Sequence, residues 1–84
     1  EDIQPGSVRL YPNPAIDNFT IESEEKIEKI SVIDVDGRLV YSKAYENLIK
    51  ELSFSKVDLG LSSGLYILVV ESRNGVEYLK LVID

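Results

Sequence analysis

The clearest fold signal in the chain is the stretch from residue 65 to residue 83, which reads LYILVVESRNGVEYLKLVI. Leu65 to Glu71 is almost continuously apolar, which predicts a central strand that is covered on both faces. The Asn74-Gly75 pair favours a hairpin turn, because both residue types tolerate positive φ. Val76 to Ile83 is then expected to return antiparallel. This stretch therefore predicts a β-hairpin whose first strand lies inside a sheet.

Shorter strands, separated by turn residues, are predicted upstream of this hairpin. They span Val8 to Tyr11, Asp17 to Glu22, Lys26 to Val35 and Arg38 to Ser42. In the second of them, Phe19 and Ile21 alternate with Asn18 and Thr20, which is typical of a half-buried strand.

The third of these strands has apolar residues in both phases. Ile30 and Val32 share one phase, whereas Ile33 and Val35 share the other. Such a strand is either covered on both faces or interrupted by a bulge. The Asp36-Gly37 pair that follows favours a tight hairpin turn.

Residues 43–57 allow two interpretations. Tyr45, Leu48, Ile49 and Leu52 have helical spacing, whereas Leu52 to Ser55 alternates like a strand. We expect a loop followed by a strand near Glu51 to Ser55, and a helical turn from Tyr45 to Ile49 stays open. The small residues between Asp58 and Gly64 predict a further loop.

These segments add up to about seven short strands with turn signals between them. The predicted fold is therefore all-β, a seven-stranded antiparallel β-sandwich that is immunoglobulin-like but lacks the Cys and Trp marks of antibody domains. Residues 8–84 are expected to form this domain. Residues 1–7 are polar, contain Pro5-Gly6 and are predicted to be a linker to an upstream domain. Because the chain has no Met and begins with Glu1-Asp2, we expect it to be a piece of a longer protein.

Composition narrows the possible functions. The chain has 84 residues, 15 acidic and 9 basic, and a formal net charge of -6. Nucleic acid is not expected as a partner, because the basic residues are scattered singly rather than arranged in a stripe. No apolar run approaches the about 20 residues of a membrane helix, so membrane insertion is not expected.

The absence of His and Cys removes the usual general base, the thiolate nucleophile and the commonest ligands of transition metals. We therefore predict no enzyme activity, no cofactor and no metal site. Asp34-Val35-Asp36-Gly37 could begin a calcium loop, but the chain then enters a strand, so a hairpin turn is the preferred interpretation.

Four motifs along the chain form a familiar series. They are LYPNPA at 10–15, IDVDGRLV at 33–40, LSSGLYILV at 61–69 and YLKLV at 78–82. In this order the chain resembles the C-terminal sorting domain of cargo proteins of the type IX (Por) secretion system of Bacteroidetes-type bacteria. The resemblance extends from Val8 to Ile83.

The resemblance implies a function and its partners. Cargo of this family is exported through the periplasm, and its C-terminal β-sandwich directs it to the outer-membrane translocon. In many members a sortase-like peptidase then removes the domain, and the cargo is released or attached to the cell surface. This implies cleavage in the predicted linker, whose residues are Glu1, Asp2, Ile3, Gln4, Pro5, Gly6 and Ser7.

The resemblance also nominates five candidate recognition residues, namely Gly37, Arg38, Gly64, Tyr66 and Lys80. Folding alone could account for Gly37 through the turn, and for Gly64 through positive φ or a close backbone approach. Tyr66 could simply pack. Arg38 is the least easily explained by folding. Lys80 is the one basic residue left in the last strand, where family members often have several.

Two other functions stay open from the sequence. The chain could be an accessory module of a secreted hydrolase that binds carbohydrate, which would require an exposed aromatic platform built from its tyrosines. It could also be a structural spacer between domains. The exposed edges of the sheet could also pair with another chain, and the translocon could use one of them to add a strand.

Overall fold

The computed structural model describes residues 8–73 and 75–84. Seven strands and one short helix follow each other along the chain. They are β1 (Val8–Tyr11), β2 (Asn18–Ser23), β3 (Ile27–Asp34), β4 (Leu39–Ala44), β5 (Glu51–Ser55), α1 (Lys56–Leu59), β6 (Gly64–Ser72) and β7 (Gly75–Ile83).

The strands form two sheets, which confirms the predicted all-β fold with seven antiparallel strands. The three-stranded sheet has the order β1-β2-β5, and the four-stranded sheet has the order β4-β3-β6-β7. Every pair of neighbouring strands is antiparallel. β6 and β7 form the predicted hairpin, in which Ser72 pairs with Gly75. Asn74, on which part of that turn prediction depends, lies outside the described residues.

The core lies between the two sheets and follows from strand alternation. Phe19 and Ile21 of β2 point inward, as the sequence predicts, and both are almost fully buried. Other side chains with less than 2% exposure complete the centre of the core: Ile27, Ile30, Val32, Leu68, Val70 and Leu81.

The two apolar phases of β3 face the two sides of its sheet. The pairing of β3 with β4 shifts register between Val32 and Ile33, but the extra residue lies on β4, so β3 keeps alternating, with Val32 buried and Ile33 half-exposed on the outer face. Val35 is 70% exposed in the turn that follows. The bulge that β3 itself contains lies at its start, between Ile27 and Lys29 in the pairing with β6. The bulge prediction is therefore confirmed, although this bulge does not produce the two phases, and the covering of both faces is wrong because Ile33 and Val35 are not buried.

β6 is central, as predicted, because it lies between β3 and β7. The prediction that both of its faces are covered is wrong for its first half. Leu65 and Ile67 are 42% and 37% exposed, since they lie on the outer face of the sheet and none of the other described elements packs over them. Only Val69, further along the same face, is buried.

The middle of the chain contains one element that the sequence analysis missed. Residues 45–50 have no regular structure, so the loop prediction is confirmed there and the helical turn is wrong. The missed element is α1, and the predicted 58–64 loop is wrong at Asp58 and Leu59 because these two residues belong to this helix. Ser55 caps its N-terminus by accepting from the backbone N–H groups of Val57 and Asp58, and Gly60 ends it in the left-handed conformation.

The immunoglobulin-like topology stays a prediction. In an antibody constant domain the fourth strand pairs with the fifth, in the sheet that also holds the first two. Here β4 pairs with β3 instead and belongs to the other sheet. Across residues 8–73 and 75–84, the structure has no helix with the length and apolar character needed to cross a membrane.

Candidate functional site

The turn between β3 and β4 is organised by one carboxylate. Asp34 Oδ1 accepts hydrogen bonds from the backbone N–H groups of Asp36 and Arg38, both at 2.9 Å. Asp34 Oδ2 lies 3.2 Å from the Arg38 Nε. The backbone N–H of Gly37 donates to the Asp34 carbonyl at 3.0 Å, which closes the turn. The hairpin turn, rather than the start of a calcium loop, is therefore what this motif forms.

These contacts shift the titration of Asp34. Its pKa is lowered chiefly because the backbone N–H of Arg38 stabilises the charged carboxylate, with a further contribution from the N–H of Asp36. The Arg38 side chain itself is 77% exposed, and its Nη2 lies 4.0 Å from Asp36 Oδ2. Arg38 thus has a structural partner, which the sequence analysis did not predict, and its guanidinium still faces the solvent.

Two candidate glycines are required by backbone conformation. Gly37 has φ +88° and Gly64 has φ +151°, in the range where a side chain is strained. A Cβ placed on either residue would meet no atom within 4 Å. The positive φ therefore explains Gly64, and the alternative explanation by a close backbone approach is wrong.

The Tyr66 side chain is hydrogen-bonded to the loop that precedes β6. Its hydroxyl accepts from the Ser62 N–H at 3.1 Å and donates to the Ser62 carbonyl at 3.0 Å. The ring is half-buried and packs against the core. Tyr66 therefore has a structural role at the start of β6, whatever its role in recognition.

The Pro12-Asn13-Pro14-Ala15 segment binds the outer edge of β7. The Asn13 amide donates to the Lys80 carbonyl at 2.7 Å and accepts from the Val82 N–H at 3.0 Å. Ala15 continues this contact, because its N–H donates to the Val82 carbonyl and its carbonyl accepts from the Asp84 N–H. The segment thus takes the place of a neighbouring strand along the end of β7.

All four motifs meet at one end of the four-stranded sheet. Asp34 pairs with Tyr66, and Tyr66 pairs with Leu81, so the second, third and fourth motifs share one row. In the next position, Gly64 pairs with Ile83, which also forms a parallel bridge with Ala15 of the first motif. We call this region the motif end. Gly37, Arg38, Gly64 and Tyr66 belong to it.

Lys80 lies slightly apart from this group, on the outer face of the same sheet. Because it pairs with Ile67, the two side chains project from the same face, which no described element covers. This outer face is mainly apolar. Its exposed or half-exposed members include Ile33, Leu39, Leu65, Ile67, Val76, Tyr78 and Val82.

The outer face of the three-stranded sheet is polar instead. A shallow groove of about 360 Å³ on this face is lined by Asn18, Thr20, Ser53, Ser55 and Asp58, with Phe19 and Phe54 beneath them. Further along the same outer face, Arg9 forms an ion pair with Glu22, and the hydrogen bond from Arg9 lowers the pKa of Glu22. Among the described residues, no three His, Cys, Asp or Glu side chains are grouped so as to hold a metal ion.

The tyrosines are distributed over several surfaces. Tyr41, Tyr45 and Tyr66 are partly buried against the core. Tyr11 and Tyr78 are exposed, but they belong to different sheets, so they do not form a common platform.

Two residues of the motif end were missed by the sequence analysis. The sequence indicates Asp34 only as part of the possible calcium loop and the second motif, and Asn13 only as part of the first motif. The partners of Asn13 lie 67 and 69 residues further along the chain, so no local pattern indicates them. The predicted cleavage region, residues 1–7, lies outside the described residues.

Comparison with solved structures supports the fold. The chain superimposes on part of PorZ, an essential bacterial surface component of the type-IX secretion system of Porphyromonas gingivalis, with a TM-score of 0.70 and 22% identity. The match covers 94% of this chain and 12% of PorZ. CopC from Methylosinus trichosporium OB3b is more distant, with a TM-score of 0.50 and 20% identity over 87% of this chain and 80% of CopC.

Comparison of sequences identifies the family. The chain is 36% identical over 84 residues to the ulvan lyase NLR42 of Nonlabens ulvanivorans, and it spans only 15% of the length of that protein. The model of the secretion system C-terminal sorting domain, the Por secretion tail, matches residues 9–84. This range contains all seven strands except the first residue of β1. The chain therefore belongs to the family of secretion system C-terminal sorting domains, as its resemblance to type IX cargo predicted.

Proposed function

We propose that this chain is a non-enzymatic secretion signal that directs a larger cargo protein through the type IX outer-membrane translocon. The observation that carries the proposal is the meeting of all four family motifs at the motif end. The antiparallel order of the strands places the second, third and fourth motifs at this end, and hydrogen bonds from Asn13 and Ala15 to β7 add the first motif to them. Shared placement is what a recognition surface requires.

The fold suits this role. The chain has no Cys, so its folding does not depend on disulfide formation during passage through the periplasm. We place sortase-like cleavage in residues 1–7, the polar segment with Pro5-Gly6 that precedes β1. The cargo would then be released outside the cell or attached to its surface.

We further propose that the sandwich is immunoglobulin-like, with the fourth strand transferred to the opposite sheet. β1, β2 and β5 would correspond to the first, second and fifth strands of that fold, and β3, β6 and β7 to its third, sixth and seventh.

An export assay tests the proposed function. Residues 1–84 are fused to the C-terminus of a periplasm-directed fluorescent reporter in a bacterium with a working type IX system. We expect the reporter in the medium or on the cell surface, and in the periplasm of a strain without the translocon. Retention of a folded fusion in the periplasm of both strains would refute the proposal.

Arg38 offers a sharper test of recognition at the motif end. Arg38→Ala is expected to reduce export of the reporter, whereas Arg9→Ala is not. The two arginines are matched, because both are largely exposed and both form an ion pair with a neighbouring carboxylate. Arg9, however, lies on the other sheet, in β1. Equal export of both variants would show that Arg38 acts only in the turn.

The carbohydrate-binding alternative has one observation in its favour, the polar groove on the three-stranded sheet. Hydroxyl and amide groups of this kind can bind sugars, but sugar binding commonly also uses a stacking aromatic ring. A glycan array with the 84-residue chain decides the matter. Binding that is lost in Asn18→Ala and Asp58→Ala would support this second function.

A further inference from the structure

The two edges of the four-stranded sheet differ in whether their outward backbone groups are already hydrogen-bonded. At the end of β7, four outward backbone groups are already bonded, namely the carbonyls of Lys80 and Val82 and the N–H groups of Val82 and Asp84. Asn13 and Ala15 supply all of these bonds. An open edge attracts further strands, so this segment protects the last strand from such pairing.

The opposite edge, β4, has no such cover among the described residues. The Tyr45 N–H donates to the Glu28 carbonyl at 2.9 Å. Because backbone groups of successive residues in a strand point to opposite sides, this bond determines which β4 residues are bonded to β3. Lys43 therefore also turns its backbone groups toward β3, whereas Ser42 and Ala44 turn theirs away from the sheet. Within residues 8–73 and 75–84 nothing bonds these outward groups, so they can bond an added strand.

The surface beside β4 favours an apolar occupant. On the outer face, Leu39 of β4 continues a row with Ile33 and Ile67 of the neighbouring strands. Leu39 is 60% exposed. A strand added at β4 would extend this row and bury apolar side chains. A strand added at β5, the corresponding edge of the other sheet, would instead lie beside Ser53 and the polar groove.

Sequence divergence points to main-chain recognition. The chain keeps the fold of the matching part of PorZ at 22% identity, and its sequence is only 36% identical to that of the ulvan lyase. Contacts that serve a family of such divergent domains have to tolerate changes of side chain. Backbone hydrogen bonds along a strand edge meet this requirement, because every residue type except proline offers the same groups.

Building on the proposed function, we propose that the secretion machine docks on the outer edge of β4 by adding an extended segment with apolar residues at alternate positions. This segment becomes the fifth strand of the four-stranded sheet. A second copy of the chain is disfavoured as the occupant, because each copy has a formal net charge of -6 and the copies repel each other.

Proline substitution tests this docking without removing a backbone hydrogen bond inside the sheet. Ser42→Pro deletes an outward N–H of β4 and places a ring at its edge. Ser53→Pro is the matched control on β5. The Ser23 N–H donates to the Lys50 carbonyl, so the same alternation turns the Ser53 backbone outward. Each serine also has a hydroxyl partner on the neighbouring strand, Ser31 or Thr20.

In the reporter assay we expect Ser42→Pro to lower export about tenfold or more, which corresponds to the loss of one hydrogen bond together with a steric block. Ser53→Pro is expected to be exported like the unchanged chain. Circular dichroism melting of each 84-residue variant verifies that it is folded. If Ser42→Pro unfolds, Ala44→Pro deletes the other outward N–H of β4 and takes its place.

The outcomes separate the two proposals. If the unchanged chain is exported and folded Ser42→Pro is exported equally well, docking on β4 is refuted and the sorting function stands. If the unchanged chain is not exported, the sorting function fails and docking on β4 fails with it. Light scattering identifies the occupant, because a dimer of the 84-residue chain that Ser42→Pro dissociates would show that a second copy binds this edge.

Discussion

Asp34 links the backbone of the β3–β4 turn to the exposed Arg38. Its carboxylate satisfies two backbone N–H groups and also holds the guanidinium. Because these bonds favour the charged form, the pKa of Asp34 is lower in the folded chain than in the unfolded chain. Because the folded pKa is the lower one, the Asp34 charge stabilises the fold at every pH above the unfolded pKa of about 3.9. This stabilisation is lost as the pH falls through the folded pKa.

Asp34→Asn is therefore expected to lower the melting temperature at pH 7, and the difference from the unchanged chain should narrow as the pH falls below about 4. Melting curves between pH 7 and about pH 2 measure this. Asp36→Asn is the control, since Asp36 is 75% exposed and lies 4.0 Å from Arg38. A difference that stays constant over the whole pH range would contradict the role of the Asp34 charge.

Tyr66→Phe removes a hydroxyl with two hydrogen bonds to the backbone of Ser62. We expect the free energy of unfolding to fall by about 1 kcal/mol, measured by urea denaturation. Tyr78→Phe, at an exposed position, should have little effect. Export distinguishes structure from recognition, because a purely structural Tyr66 predicts normal export by the folded Phe variant.

Among the elements, the strands with alternating or β-branched sequence were predictable, whereas the short helix α1 was not. β2 and β5 appear within one residue of their predicted limits, since alternation of apolar residues directly reports a half-buried strand. α1 has four residues, too few for a helical period, and only its caps Ser55 and Gly60 signal it. The exposed outer face of β6 was not predictable, because apolar sequence does not reveal whether another layer covers it.

At the motif end too, the feature set by local sequence was predictable and the long-range contact was not. The turn glycine was predictable from Asp36-Gly37, because a local conformation requires it. The contact of Asn13 with β7 was not, since it connects opposite ends of the chain. Only the order of the four motifs indicated that distant segments belong together, and that order was informative through family resemblance rather than through chemistry.

The segment that covers β7 gives a prediction at the scale of the element. Asn13→Ala removes two bonds and leaves the Lys80 carbonyl and the Val82 N–H to water. We expect the free energy of unfolding to fall by about 1–2 kcal/mol. We also expect aggregation to increase in concentrated solution, because the edge of β7 is opened. Denaturation and light scattering measure the two effects.

Asn18→Ala, which changes an exposed amide at the start of β2, serves as the control for Asn13→Ala. Asn13→Asp keeps the acceptor for Val82 but places a carboxylate against the Lys80 carbonyl, so it should be at least as unstable as Asn13→Ala. If both Asn13 variants melt and remain soluble like Asn18→Ala, the contact contributes nothing to stability.

At the scale of the whole molecule, the stability of the sandwich depends on one small core. Leu68 is fully buried at its centre, so Leu68→Ala should cost about 2–5 kcal/mol, a large part of the about 5–15 kcal/mol available to a folded domain. Leu48→Ala changes the same residue type at 74% exposure and is expected to be nearly neutral. Thermal unfolding compares the two, and similar melting temperatures would contradict the assignment of the core.

The parallel bridge between Ala15 and Ile83 also determines how the molecule responds to tension. When two parallel segments are pulled, one at its N-terminal end and the other at its C-terminal end, they slide along each other. They do not separate one hydrogen bond at a time. The bonds from Asn13 and Ala15 to residues 80–84 then all resist at once. A pull that reaches the fold through these two segments acts as shear, the direction in which hydrogen-bonded strands are hardest to part.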